Sequence, residues 1–222
     1  MAQRRTAAKK SRAKTPKPTT VLFVRHGKTP TTGAVLPGRA PGLHLGDTGR
    51  EQAEQAAQRI AVLDNVAAVY ASPMERTQET AKPIAKAVGV RVRTERGLIE
   101  CDFGQWTGQK LSDLNKLPQW TTVQRHPTGF RFPKGESFTE MQTRMVSAVR
   151  RLVDRHPCEV IVAVSHADTI KAALADALGT HLDLFQRIVV GPCSVSAVMY
   201  ATNGPIVLAQ NSTGSLTDLV SQ

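Results

Sequence analysis

Four residues in this chain have the chemistry to handle a phosphoryl group: Arg25, His26, Arg76 and His166. A guanidinium stays charged and presents its donors in a fork that matches phosphate oxygens two at a time. A neutral imidazole, with an unperturbed pKa of about 6.5, offers a ring-nitrogen lone pair as nucleophile. Two of each in one pocket would bind an anion and could take it covalently. Gly27 keeps side-chain bulk away from His26. Taken singly, each has a plainer explanation. Arg25-His26 could be a surface pair, Arg76 a solvated helix residue and His166 a hydrogen-bonded core histidine. His26 with His166 also raises zinc, but no nearby cysteine or paired-histidine spacing completes a ligand set.

What would unite the four is their place at the ends of strands. The apolar run Val21-Leu22-Phe23-Val24 reads as a buried strand and leads into Arg25-His26-Gly27. A second strand over Val66–Ala71 leads into Ser72-Pro73-Met74-Glu75-Arg76, and a third over Glu159–Val164 into Ser165-His166. In open α/β sheets, ligands bind outside the carboxyl ends of the strands. Arg76 falls in a first helical turn, where free N–H groups also favour an anion.

Helices separate these strands. Thr48-Gly49-Arg50-Glu51 fits a capping box opening a helix to about Leu63. Ser72 as cap, Pro73 at the first helical position and Glu75 as the third predict a helix to about Val88, stopped by Gly89. A short strand is expected at Val90–Arg93. Ser137-Phe138-Thr139-Glu140 opens a helix to about His156, and Ala167–Leu178 another, ending at Gly179. Residues 195–200 and 206–209 read as late strands. Residues 28–47 read as a loop, and 101–136 as irregular chain with a short helix near 110–117. The alternation predicts an α/β fold: a three-layer α/β/α sandwich with a mostly parallel central sheet.

The segments V-R-H-G-K-T (24–29), G-R-E-Q-A (49–53), S-P-M-E-R-T-Q-E-T-A (72–81), L-I-E-C-D-F-G-Q-W-T-G (98–108), P-K-G-E-S (133–137) and V-S-H-A (164–167) resemble, in order, the histidine phosphatase superfamily, which includes the cofactor-dependent phosphoglycerate mutases. The likeness covers roughly residues 20–210 and looks closest to small actinobacterial phosphomutase or phosphatase proteins. It implies a phosphoglycerate mutase-like fold, His26 as the nucleophile that becomes phosphorylated, and Arg25, Arg76 and His166 on the phosphoryl oxygens. It makes Glu100 the acid that protonates the leaving oxygen and then activates the acceptor. From residue type alone Asp102 is an equal candidate. The resemblance implies neither metal nor cofactor, since fixed cations take magnesium's place. Thr29 would donate to phosphate. Lys28 stands where the family often has Glu or Gln, either as an added substrate-binding cation or as a solvent-pointing lysine. Thr32 replaces a frequent asparagine and Ala167 a usual glycine.

Residues 105–136 are expected to lie over the pocket as a lid. Trp106, Trp120, Phe130 and Phe132 would line it or pack the lid down, and Arg125, His126, Arg131 and Lys134 are candidate contacts for an acidic substrate. Three activities remain: a phosphatase for small phosphomonoesters, a phosphomutase, and a non-catalytic phosphoryl-binding adaptor. The complete set of site residues favours the first two.

The chain's 222 residues suit one domain, over 20–222, preceded by a basic tail at 1–19. Residues 1–19 hold seven Lys or Arg and no acid, and account for all but four of the eleven net positive charges. The tail has no large apolar side chain, so it is expected to be disordered. It is a solvated extension, a weak ligand for polyanions or a transit-like segment. No apolar run reaches the roughly 18 residues of a membrane helix. Cys101, Cys158 and Cys193 form neither a CxxC nor an even set, which fits a reducing cytoplasm. A small phosphorylated substrate is the expected partner, and a homodimer is one admissible assembly.

Overall fold

The computed structural model describes residues 18–63 and 65–217. All but the last two residues of the basic tail lie outside that range.

Six strands form one sheet: β1 (Thr19–Arg25), β2 (Val66–Ala71), β3 (Val92–Thr94), β4 (Val160–Ser165), β5 (Val195–Ala201) and β6 (Gly204–Ser212), in spatial order β3-β2-β4-β1-β5-β6. The first four are mutually parallel, and β5 and β6 add an antiparallel edge. The expected mostly parallel sheet is therefore present. Successive residues of a strand face opposite sides, so an all-apolar strand can serve two cores. Val21 and Phe23 of β1 join Tyr70, Ile161 and Ala163 in one core, whereas Leu22 and Val24 join Val69, Val162 and Val164 in the other.

Helices cover both faces. α1 (Asp47–Ile60) and α2 (Glu75–Ala87) pack on the second core through Ala57, Ile60, Ala81 and Ile84. α5 (Phe138–Arg155) and α6 (Ala167–Ala177) pack on the first through Met141, Met145, Ile170 and Leu174. The Ser137 capping box forms as expected: the Ser137 hydroxyl accepts from the Glu140 N–H, and the Glu140 carboxylate from the Ser137 N–H. Gly89 (φ 73°) and Gly179 (φ 63°) follow α2 and α6 in the left-handed conformation expected of helix stops.

Two helix starts differ from expectation. α1 is capped by Gly46, not Thr48, because the Gly46 N–H bonds to the Lys28 carbonyl and anchors the helix start before Thr48. α2 is capped by Met74, not Ser72: the Ser72 hydroxyl lies 2.8 Å from His166 Nε2 and accepts from the Met74 N–H at 3.4 Å, before the first helical residue Glu75. Between β3 and α5, α3 (Leu111–Leu114) matches the expected short helix, and α4 (Pro118–Arg125) forms where irregular chain was expected.

Candidate active site

Strand register assembles the site. Arg25 of β1 pairs with Ser165 of β4, and Ala71 of β2 with Val164. The three strands thus end level. The next backbone bonds extend the ladder, with His26 N–H donating to the Ser165 carbonyl and Ser72 N–H to the Val164 carbonyl, both at 3.0 Å. His26, Ser72 and His166 are therefore the first residues past three adjoining strand ends.

His26 and His166 face each other edge to face, with ring centroids 5.3 Å apart. His26 Nδ1 lies 2.8 Å from the Gly27 carbonyl, which can only accept, so Nδ1 carries the proton and Nε2 the lone pair. Arg76 Nε donates to that lone pair across 3.3 Å, a long bond. Arg76 is fully buried in the first turn of α2, and its Nη2 donates to the Gly38 carbonyl at 2.8 Å. Arg25 Nη1 is held by the Val190 carbonyl at 2.8 Å. His166 Nε2 lies 2.8 Å from the Ser72 hydroxyl, which fixes the ring and leaves Nδ1 3.8 Å from Glu100 Oε2.

Among the described residues, Arg25 Nε, Arg76 Nη1 and His166 Nδ1 are buried with no hydrogen-bond partner. A buried donor without an acceptor costs about 1–3 kcal/mol. Two such guanidinium donors and the free ring nitrogen of His166, from three separate elements beside His26, suit an anion with several oxygens.

Burial sets the protonation states. It pushes His26 down to about 3, with the adjacent Arg76 adding to the effect. It likewise holds His166 well below the usual imidazole range. Both rings are neutral at pH 7, as a nucleophile must be. Glu100, buried near Asp168, is pushed up to about 7, where it can give or take a proton. Of the two candidate acids, Glu100 lies in the site. Asp102 instead faces Arg39 at 3.6 Å and accepts from the Gly104 N–H.

Gly27 also has a packing role. A Cβ there would lie 2.4 Å from the Gly49 carbonyl oxygen, and one on Gly49 would lie 2.0 Å from that of Lys28. The two glycines let the backbone after His26 press on the first turn of α1. The Thr80 hydroxyl accepts from the Gly27 N–H at 3.0 Å.

A cavity of about 290 Å³ opens over His26, with Arg25, Thr29, Thr32 and Glu100 in its wall. Its apolar lining includes Leu36, Phe103, Leu111 and Trp120, and its polar lining Gln124, Asp168, Lys171 and Gln186. Lys28 is exposed and outside this wall, so the structure does not bring it to a substrate there. Its backbone is turned to α1, accepting from the Gly46 N–H and donating to Gln52. Of the four aromatics, Trp120 lines the cavity, while Trp106, Phe130 and Phe132 pack together beneath it. None of Arg125, His126, Arg131 and Lys134 lines it, and Arg131 is ion-paired with Glu140. Sequence reasoning missed Ser72 as the support of His166, and Asp168 and Lys171 as cavity groups. The one available signal was their closeness to the motifs, Ser72 beginning S-P-M-E-R and Asp168 following S-H-A.

Comparison with known proteins gives a concordant result. Residues 21–213 match the histidine phosphatase superfamily (branch 1). Over 203 residues the chain is 31% identical to a Mycobacterium tuberculosis protein named as bifunctional, covering 90% of this chain and 55% of that one, so it spans about half that relative's length. Over 201 residues it is 28% identical to phosphoserine phosphatase 1 of Hydrogenobacter thermophilus, covering 87% of this chain and 92% of that one. Among solved structures, the phosphoserine phosphatase of Entamoeba histolytica in complex with 3-phosphoglyceric acid superposes with a TM-score of 0.79 at 25% identity, covering 88% of this chain and 98% of that one.

Proposed function

The chain belongs to the histidine phosphatase superfamily, and from that premise we propose that it is a metal-independent phosphatase of small phosphomonoesters, working through a phosphohistidine on His26. The observation that carries the reading is the state of His26. Its Nδ1–H is fixed on the Gly27 carbonyl, and its Nε2 lone pair stands beside the unpartnered nitrogens of Arg25, Arg76 and His166.

Nε2 attacks phosphorus in line with the leaving oxygen. The P–O bond breaks and Glu100 gives its proton to the departing alkoxide. Arg25, Arg76 and His166 hold the equatorial oxygens, supplying the charge neutralisation on which phosphoryl transfer depends. Glu100, now a carboxylate, takes a proton from water as the water attacks the phosphohistidine. The N–P bond breaks and inorganic phosphate leaves. Thr29, in the cavity wall, donates to the phosphate.

Water is favoured over a second hydroxyl as acceptor. A mutase must hold a further anionic group, and besides Arg25 the one Lys or Arg among the described residues of the wall is Lys171, already beside Asp168 at 3.5 Å and Gln186 at 3.1 Å. Free thiols at Cys101, Cys158 and Cys193 suit a cytoplasmic setting. The basic residues before Pro18 would add weak affinity for polyanions.

The test is turnover of p-nitrophenyl phosphate by wild-type and His26→Ala protein, each in EDTA. Wild-type turnover in EDTA that vanishes in the variant is expected. Undiminished activity of the variant would remove His26 from its role, and loss of wild-type activity in EDTA would end the metal-free reading.

A further inference from the structure

Glu100 receives little direction from contacts to its own carboxyl. Oε1 accepts from the Cys101 N–H at 2.9 Å, and Oε2 stands 3.8 Å from His166 Nδ1. Its main chain, by contrast, is gripped. Arg39 Nε donates to the Glu100 carbonyl at 2.8 Å, and Arg144 Nη2 to the same oxygen at 3.4 Å. Arg144 Nη1 donates to the Gly97 and Ile99 carbonyls, both at 2.8 Å. Glu136 ties the two guanidiniums together, with Oε1 2.9 Å from Arg144 Nε and Oε2 3.0 Å from Arg144 Nη2 and 2.8 Å from Arg39 Nη2. Arg39 follows Gly38, whose carbonyl orients the buried Arg76 at 2.8 Å. One dipeptide therefore touches both the residue that would hold the phosphoryl group and the residue that would protonate its leaving oxygen.

We propose that Arg39 is a positioning residue: through the Glu100 carbonyl, and braced by Glu136 and Arg144, it fixes the distance between the Glu100 carboxyl and the phosphoryl pocket formed around Arg76. The proposal rests on the reading of Glu100 as the acid. Its physical logic lies in where the arginine grips. A guanidinium on the carboxyl itself would stabilise the carboxylate and draw off the proton that the acid must carry. Gripping the carbonyl fixes position and spares that proton, while Glu136, and Asp102 at 3.6 Å, neutralise the nearby charge. Displacing a reacting group by about 1 Å can cost on the order of 10²-fold in rate, so a side chain that never touches substrate can still set turnover.

A misplaced acid has a kinetic signature that general loosening lacks: the loss grows as the leaving group becomes more basic. The experiment measures kcat and KM for p-nitrophenyl, phenyl and benzyl phosphate with wild type, Glu100→Gln, Arg39→Gln and Arg39→Lys. In kcat/KM, which reports the step that expels the leaving group and not the later attack of water, Glu100→Gln should lose most on benzyl phosphate and least on p-nitrophenyl phosphate. Arg39→Gln should show the same trend more weakly, with kcat/KM on benzyl phosphate falling roughly tenfold further than on p-nitrophenyl phosphate. Arg39→Lys keeps the charge but not the fork, and should follow Arg39→Gln. If Glu100→Gln shows the trend and both Arg39 variants lose evenly or not at all, the positioning role is overturned while the acid stands. If Glu100→Gln is itself even across the series, the acid assignment falls and this proposal with it. The lysine variant keeps the test decisive should Arg39→Gln fail to fold.

Discussion

His26 and Glu100 are both buried proton carriers, and burial moves them in opposite senses. His26, pushed down to about 3, stays a neutral nucleophile through the whole working range. Glu100, pushed up to about 7, keeps its proton until neutrality and loses it above. For a substrate with a basic leaving group, kcat/KM should therefore fall about tenfold per pH unit above roughly 7, because the acid is lost. On the acid side His26 imposes no limb above pH 3, so the decline should follow the second ionisation of the phosphate ester, near pH 6. Profiles for two phosphomonoesters of different second pKa check both statements: the acid limb should shift with the substrate and the alkaline limb should not. Glu100→Gln should abolish the alkaline limb; its survival in that variant would assign it to another group. At this scale the sequence showed residue type and order, and so Arg25, His26, Arg76 and His166. It did not show which of Glu100 and Asp102 enters the site, because the two differ in the backbone path of one loop, and that path is set by Arg39, Glu136 and Arg144 from elsewhere in the chain.

Elements hold the site together where backbone meets backbone. The loop after His26 lies on the first turn of α1 through Gly27 and Gly49, with no room for a Cβ at either. Gly49→Ala would drive its methyl group against the Lys28 main chain, which cannot rotate away as a side chain would. It should cost about 1–3 kcal/mol in stability and lower kcat by shifting His26. Gly46→Ala is the matched control, since its Cβ would meet nothing nearer than 3.9 Å and its φ of −75° suits any residue. Urea denaturation and kcat of the two variants check this; a Gly49→Ala protein with wild-type values would show that the loop yields. The same contact explains why α1 does not start at the capping pattern of Thr48. Thr48 and Glu51 satisfy a local capping pattern, but a long-range bond to the Lys28 carbonyl fixed the cap at Gly46. At Ser72 too a long-range partner enters, the hydroxyl lying 2.8 Å from His166 Nε2 and reaching only the Met74 N–H, at 3.4 Å, on the helix side. Ser137 was legible because its capping partner Glu140 is only three residues away.

Across the whole molecule, an α/β/α sandwich was legible because both its cores are written into single strands, and its phosphoglycerate mutase-like character through the ordered motifs. Val21 to Val24 and Val160 to Val164 are apolar at every position, a pattern that only a sheet covered on both sides accommodates. The antiparallel direction of β5 and β6 was not legible, since strand direction depends on how the chain returns and not on composition. This architecture has two poles. Arg25, Ser72 and His166 mark the carboxyl ends of β1, β2 and β4, and Thr19 lies at the opposite end of the seven-residue β1, about 20 Å from Arg25. The chain before Pro18 therefore joins the domain at the pole away from His26, although it carries seven of the cationic residues. Removing residues 1–17 should leave kcat/KM for an uncharged-body substrate such as phenyl phosphate within about twofold of wild type. Binding to a polyanion column should weaken at the same time, because that affinity scales with the number of cations released against salt. A large drop in kcat/KM would mean that the segment reaches around the domain to the cavity, and would make it part of the site.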